Sequence, residues 1–333
     1  MTLAEGLPLG GSDRGLFGAV RGLGGWLRLG LAVLLALHPL GAVLVLGWML
    51  RLMRDEAAIS RARLASGAGP RRAPLPRWIA GPTGARRWLA RRLGGLWETL
   101  RWGLASLLTL AASTLPFTLL WLLSWWGGWE NSFNKGYEQS WVGPTVALVG
   151  VAVALPLMIR LPMALAHQAS KGRMSAFFAR AAVARRIRAA GWRYVGLIAL
   201  TVLAALPLFV LQGAPVFVEA WSPGFIERNP DEVNAFISAY RLGATAYLVL
   251  VLLRLRRAAA RLHARAELRL ESGPLPGPLA RLGGLLRTLL CLALVFGLVA
   301  QVFVAQFVNH QWAVWLLPPL QGLPFFAPLT PVP

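Results

Sequence analysis

Between Trp121 and Pro144 the chain reads WLLSWWGGWENSFNKGYEQSWVGP. Two carboxylates (Glu130, Glu138), one amine (Lys135) and two asparagines (Asn131, Asn134) stand there among five tryptophans. A carboxylate pair is raw material for general acid–base chemistry. That chemistry needs surroundings that push the two pKa values apart. Nothing in the sequence buries Glu130 or Glu138 or lowers the dielectric around them. A contact with a partner, a ligand or lipid headgroups is the expected role of Glu130, Glu138, Trp129 and Trp141. Arg241 joins them for another reason. It lies inside an apolar run, and a charge at mid-bilayer costs about 2.5–3.5 kcal/mol. From the outer third of that run it snorkels to the headgroups, pairs within the bundle, or holds an anionic ligand or lipid.

The remaining reactive types are sparse. Cys291 is the one cysteine, so no intrachain disulfide or metal–thiolate cluster is available. The histidines His38, His167, His263 and His310 are scattered without metal-ligand spacing. His38 beside Pro39 has the chemistry to ligate a haem iron or pigment, but a lone histidine next to a proline reads as a turn residue. No nucleophile–base pair, metal constellation or phosphate loop stands out. The expectation is a chain with no catalytic residue, no cofactor and no metal, and not an enzyme.

These residues are set among long apolar runs. The chain of 333 residues has a mean hydropathy of +0.57 and only 14% charged residues, against about 25% in soluble domains. A membrane span takes about 20 apolar residues. Six runs qualify: Leu29–Leu50, Trp102–Trp126, Val142–Ile159, Tyr194–Gln212, Val233–Leu253 and Thr288–Asn309. The first is broken by His38-Pro39-Leu40-Gly41. It is either one Pro-broken span or a re-entrant hairpin, and the hairpin is the favoured form. The N-terminus does not read as a cleaved signal peptide.

The charge between the runs alternates. Residues 51–101, 160–193 and 254–287 hold 28 of the 34 basic residues. The segments 127–141 and 213–232 are aromatic or acidic, and 310–333 has no charge. Basic loops stay in the cytoplasm. The three Arg-rich segments are therefore expected inside, facing anionic lipid, and the C-terminus outside, in a bacterial cytoplasmic (inner) membrane. This also accounts for the net charge of +21 without nucleic acid. Arg14, Arg21 and Arg28 recur every seven residues, as on a helix lying along the inner surface. Leu255, Ala259, Leu262 and Ala266 make an apolar stripe in 254–270. Trp88, Leu89, Leu93, Leu96 and Leu100 do so in 84–100. Both read as interfacial or membrane-continuing helices.

The expected fold is an all-α integral membrane protein: one polytopic bundle of five or six transmembrane helices plus interfacial amphipathic helices. Its single domain, 1–333, divides into an interfacial segment (1–28), the Pro-broken run (29–50), an Arg-rich loop (51–101), the bundle (102–309) and an apolar Pro-rich outer tail (310–333). Trp121, Trp125, Trp126, Trp129 and Trp141 are expected in an interfacial belt. Small residues at helical spacing mark close packing. They are Gly143, Ala147, Gly150 and Ala154 in one run, and Ala235, Ala239, Gly243 and Ala246 in another. Such stripes suit a scaffold, assembly or accessory subunit that packs against another membrane protein or a second copy. Prolines 39, 116, 156 and 207 suggest broken spans, which suit a transporter or channel for lipid or a small uncharged solute.

Two motifs carry a family resemblance. GWMLRLMRDE (47–56) is followed by LPRW (75–78), and LPMALAHQASKGRMSAFF spans 161–178. Over about residues 25–215 this resembles the prokaryotic membrane family filed as domain-of-unknown-function family 4013. In that family a Pro-broken run exits through Gly-aromatic-x-x-Arg into Leu-Pro-x-Trp. Here Ile79-Ala80-Gly81 stands where the family commonly has acids. The resemblance implies a helical membrane protein and no particular activity.

Overall fold

The computed structural model describes residues 23–66, 85–127, 141–221, 224, 230–272 and 278–308. They form α1 (Leu23–Ala36), α2 (Pro39–Ser66), α3 (Ala85–Trp125), α4 (Val142–Lys171), a 3₁₀ turn (Met174–Ala176), α5 (Arg180–Ala190), α6 (Trp192–Trp221), α7 (Pro230–Glu271) and α8 (Pro278–Val308). Among the described residues there is no strand, as an all-α bundle requires. The expected N-terminal surface helix up to Arg21, most of the 65–76 linker and the 310–333 tail lie outside these residues.

Three helices are long and apolar enough to cross a bilayer: Gly94–Ser124 within α3, then α4 and α7. Each covers all or nearly all of one of the expected runs. A fourth candidate is a bent pair, Arg180–Ala190 with Trp192–Leu208, whose axes differ by 99°. The apolar stretches Trp26–Ala36 and Gly283–Gly297 are shorter than a span. Among the described residues the chain is an all-helical bundle with three helices long and apolar enough to cross a membrane, or four if the bent pair is one span.

The Leu29–Leu50 run breaks where the sequence suggests. Leu37 and His38 form the turn, and the Leu40 amide donates to His38 Nδ1 at 3.3 Å. That ring nitrogen takes up one of the free amides of the first turn of α2, a capping role. Leu29, Ala32, Val33 and Ala36 of α1 share a core with Val45 and Met49 of α2 and Val249 and Leu253 of α7. The other prolines do not break their helices. α3 runs through Pro116, α4 through Pro156 and Pro162, and α6 through Pro207.

The helices outrun the membrane. At about 1.5 Å per residue, the 42 residues of α7 extend about 63 Å, twice a hydrocarbon core of about 30 Å. Beyond its apolar part, Ala259, Leu262 and Ala266 are buried and Leu255 is packed against the main core, so the stripe read from sequence is used. α2 and α3 meet with almost no gap. A Cβ on Gly47 would lie 1.9 Å from Thr99 O, and one on Gly103 would lie 2.1 Å from Val43 O. Only glycine permits that approach. On α4 the stripe Gly143, Ala147, Gly150 and Ala154 is buried, and the Trp121 ring of α3 lies over Gly150. Trp121 is therefore not part of an interfacial belt. It is 1% exposed and packs edge-to-face on Phe117 with centroids 5.0 Å apart. Trp126 and Trp141, 52% and 66% exposed, keep the belt reading.

Candidate functional site

The residues singled out in sequence do not converge. Glu130, Glu138 and Trp129 lie outside the described residues. Trp141 precedes α4 and is exposed. Arg241 is half-buried in the N-terminal half of α7, and Ala239 and Gly243 beside it are exposed.

Polar chemistry collects instead at the opposite end, where the three Arg-rich segments pack on one another. The C-terminal halves of α2 and α7 are tied by Glu56, whose carboxylate accepts from Arg257 Nε at 3.1 Å and Arg261 Nε at 2.6 Å. Burial alone would raise the Glu56 pKa. The hydrogen bond from Arg261 and the charges of Arg257 and Arg261 outweigh it and hold the carboxyl below its ordinary range. Arg51 ties α2 to α3 by donating to Thr99 Oγ1 at 2.8 Å and Gly95 O at 3.1 Å.

Glu267 on α7 is the second hub. Its Oε1 accepts from Arg186 of α5 at 2.9 Å and lies 3.7 Å from Lys171 Nζ at the end of α4. Its Oε2 accepts from Arg61 of α2 at 3.3 Å, and Arg61 also reaches Glu271 at 2.5 Å. Four helices therefore meet at one carboxylate, whose side chain is only 12% exposed. The geometry has local causes. Gly172, at φ 68, ends α4 by donating its amide to Gln168 O, so Lys171 stands at the helix terminus. Glu267 is one helical turn past His263, on the same face of α7.

Among the described residues, that face carries the one pair of histidines brought together by the packing. His167 Nδ1 and His263 Nε2 are 3.2 Å apart, and His263 Nε2 is 3.9 Å from Glu267 Oε1. His263 is 0% exposed and His167 5%. The expectation of scattered histidines fails here. The two are 96 residues apart in sequence, and only the packing of α4 on α7 joins them. Burial, then the charges of Arg186 and Lys171, push His167 down to about 4. Burial pushes His263 down to about 3, with Glu267 opposing and Arg186 adding to it. Both rings are neutral at pH 7. One donates to the other, and in either tautomer His263 Nδ1 has no hydrogen-bond partner. Beside them Gln168 Oε1 accepts from Thr109 Oγ1 at 3.2 Å, linking the site to α3.

Sequence reading missed this site because its signal is three-dimensional. Only His263-x-x-x-Glu267 was available as a local cue, and that spacing is common on any polar helix. No family model, curated protein or solved structure matches the chain. The resemblance to family 4013 therefore carries no argument about function.

Proposed function

We propose that this chain is a non-enzymatic accessory, assembly or scaffold subunit of a bacterial cytoplasmic membrane, working by helix packing with another membrane protein or a second copy. One contrast carries the reading. The small-residue stripe on α4 is consumed inside the bundle, while the similar stripe on α7 is left open. Ala235, Ala239 and Gly243 are exposed, and a Cβ on Gly243 would meet nothing within 4 Å. In a bilayer, where apolar area alone drives little association, such a ridge gives close backbone approach its advantage.

In this reading five or six runs cross or enter the membrane, with 51–101, 160–193 and 254–287 in the cytoplasm against anionic lipid and the C-terminus outside. Convergence of the three Arg-rich segments at one end supports a common side for them. A transporter or channel for lipid or a small uncharged solute is the alternative. Its support from proline-broken spans narrows to the break at His38–Pro39, because the helices run through the other prolines.

The test is purification from native membranes, by a tag on the full chain, of wild type and Gly243→Leu. The reading expects wild type to bring down a stoichiometric membrane protein or to form a defined oligomer. It expects Gly243→Leu to lose that association while its thermal unfolding is unchanged. A wild-type protein recovered alone and monomeric in native lipid would refute it.

A further inference from the structure

We propose that His167, His263 and Glu267 form a binding site for a divalent first-row transition ion, Zn²⁺ foremost, that staples α4 to α7 at the Arg-rich end of the bundle. The proposal is independent of the scaffold reading.

The donor set is the first argument. The three ligand atoms all lie within 4.8 Å of one another. Two imidazoles and one carboxylate suit Zn²⁺ with a fourth position left open. With Zn–N distances of about 2.0–2.1 Å, two nitrogens on a tetrahedral ion stand about 3.3 Å apart. The 3.2 Å between His167 Nδ1 and His263 Nε2 already fits that edge. Glu267 Oε1 lies 3.9 Å from His263 Nε2 and within 4.8 Å of the His167 donor, so the carboxylate closes by about half an ångström on one edge and by up to about 1.5 Å on the other to complete the same geometry.

The surroundings are the second argument. His263 is fully buried. Its only polar contacts run from Nε2 toward His167 and Glu267. A hydrogen bond between the two histidines explains their mutual distance. Arg186, Lys171 and Arg61 hold Glu267 in place, and that placement sets a carboxylate oxygen beside the same nitrogen. Arg186, donating to Glu267 Oε1, fills the role of the outer partner that orients a ligating carboxylate.

Charge sets the limit on affinity. Lys171 and Arg186 both face Glu267 Oε1 and repel a dication. Lys171 is 44% exposed in its side chain, so its replacement spares the fold. This gives a readout that a purely structural cluster would not move: Lys171→Gln tightens metal binding severalfold.

The experiment uses the full chain without a polyhistidine tag, stripped with chelator and reconstituted in nanodiscs, titrated with Zn²⁺ and with Co²⁺ as a spectroscopic probe. Wild type is expected to bind one equivalent, to unfold at higher temperature with Zn²⁺, and to show visible d–d absorption of four-coordinate Co²⁺. His167→Gln and His263→Gln are each expected to lose these signals, while a His38→Gln/His310→Gln double variant keeps them. Failure of wild type to take up either ion stoichiometrically overturns the site, whatever the variants do. So does binding that survives both histidine substitutions. Should those variants fail to fold, Lys171→Gln decides: tighter binding supports the site, and unchanged binding overturns it.

Discussion

Glu56 is a single carboxylate held by two arginines of another helix, and its pH dependence follows from that. Its folded pKa lies below the ordinary value of 4.5. Above pH 4.5 both folded and unfolded states are ionised, and the stabilisation is fully present. As pH falls below 4.5 the unfolded state takes the proton first, and the stabilisation is lost through the folded pKa. Acid should therefore loosen the α2–α7 contact. Glu56→Gln removes a mostly buried carboxylate and leaves Arg257, a quarter exposed, and Arg261, about half exposed, facing an amide. A loss of about 1–3 kcal/mol is expected near neutral pH. Thermal unfolding of the detergent-solubilised protein from pH 7 to pH 3.5 checks both points. The variant should start lower and show a flatter acid limb; parallel curves for the two proteins would contradict the assignment. This residue was visible in sequence only as one acid in an Arg-rich loop. Its partners, some two hundred residues away in the chain, were not. Trp121 shows the reverse error, since its type suggested an interface and Gly150 opposite it made a core position.

At the scale of the elements, glycine and alanine decide which helices touch. Gly47 and Gly103 let α2 and α3 approach backbone to backbone. Gly47→Ala puts a methyl where the Thr99 carbonyl already is, and a carbonyl in a continuous helix cannot swing aside. The expected cost is about 1–3 kcal/mol or more, read as a fall in midpoint of thermal unfolding. Gly150→Leu should behave similarly, because its first added atom lies 2.6 Å from the fully buried Trp121 ring. Gly243→Leu is the control within the same fold, expected to be neutral for unfolding. Equal destabilisation by Gly150→Leu and Gly243→Leu would mean that the α7 ridge is packed in the folded protein. The sequence made these stripes legible by their spacing. It did not say which stripe faced inward, because spacing defines a face and only the neighbouring helices define what that face meets. Nor did proline report its context: Pro116 and Pro156 sit inside helices that continue past them, whereas Pro39 begins one.

For the whole molecule the most legible property was the distribution of charge. Arginine clusters in three alternate segments, and the fold gathers Arg61 of the first and Lys171 and Arg186 of the second around Glu267 of the third. The same end holds Glu56 with Arg257 and Arg261. The bundle thus has one charged end with interlocked helices. Its other end, marked by Trp126 and Trp141, is aromatic. The proposed topology sets these ends in different compartments, with the arginine-rich one in the cytoplasm. Cys291 makes this testable. It is the one cysteine of the chain and is buried, so Cys291→Ala gives a background without thiols. Single cysteines are then introduced as Arg63→Cys, Lys171→Cys and Ser272→Cys at one end, and as Trp141→Cys at the other. In intact cells a membrane-impermeant maleimide should label only the last, and all four should label after permeabilisation. Labelling of Trp141→Cys together with any of the other three in intact cells would mean that the two ends do not lie on opposite sides. In that case α4, which links Trp141 to Lys171, would lie along the membrane instead of through it, and the α7 ridge would lose the lipid surroundings that give it a packing role.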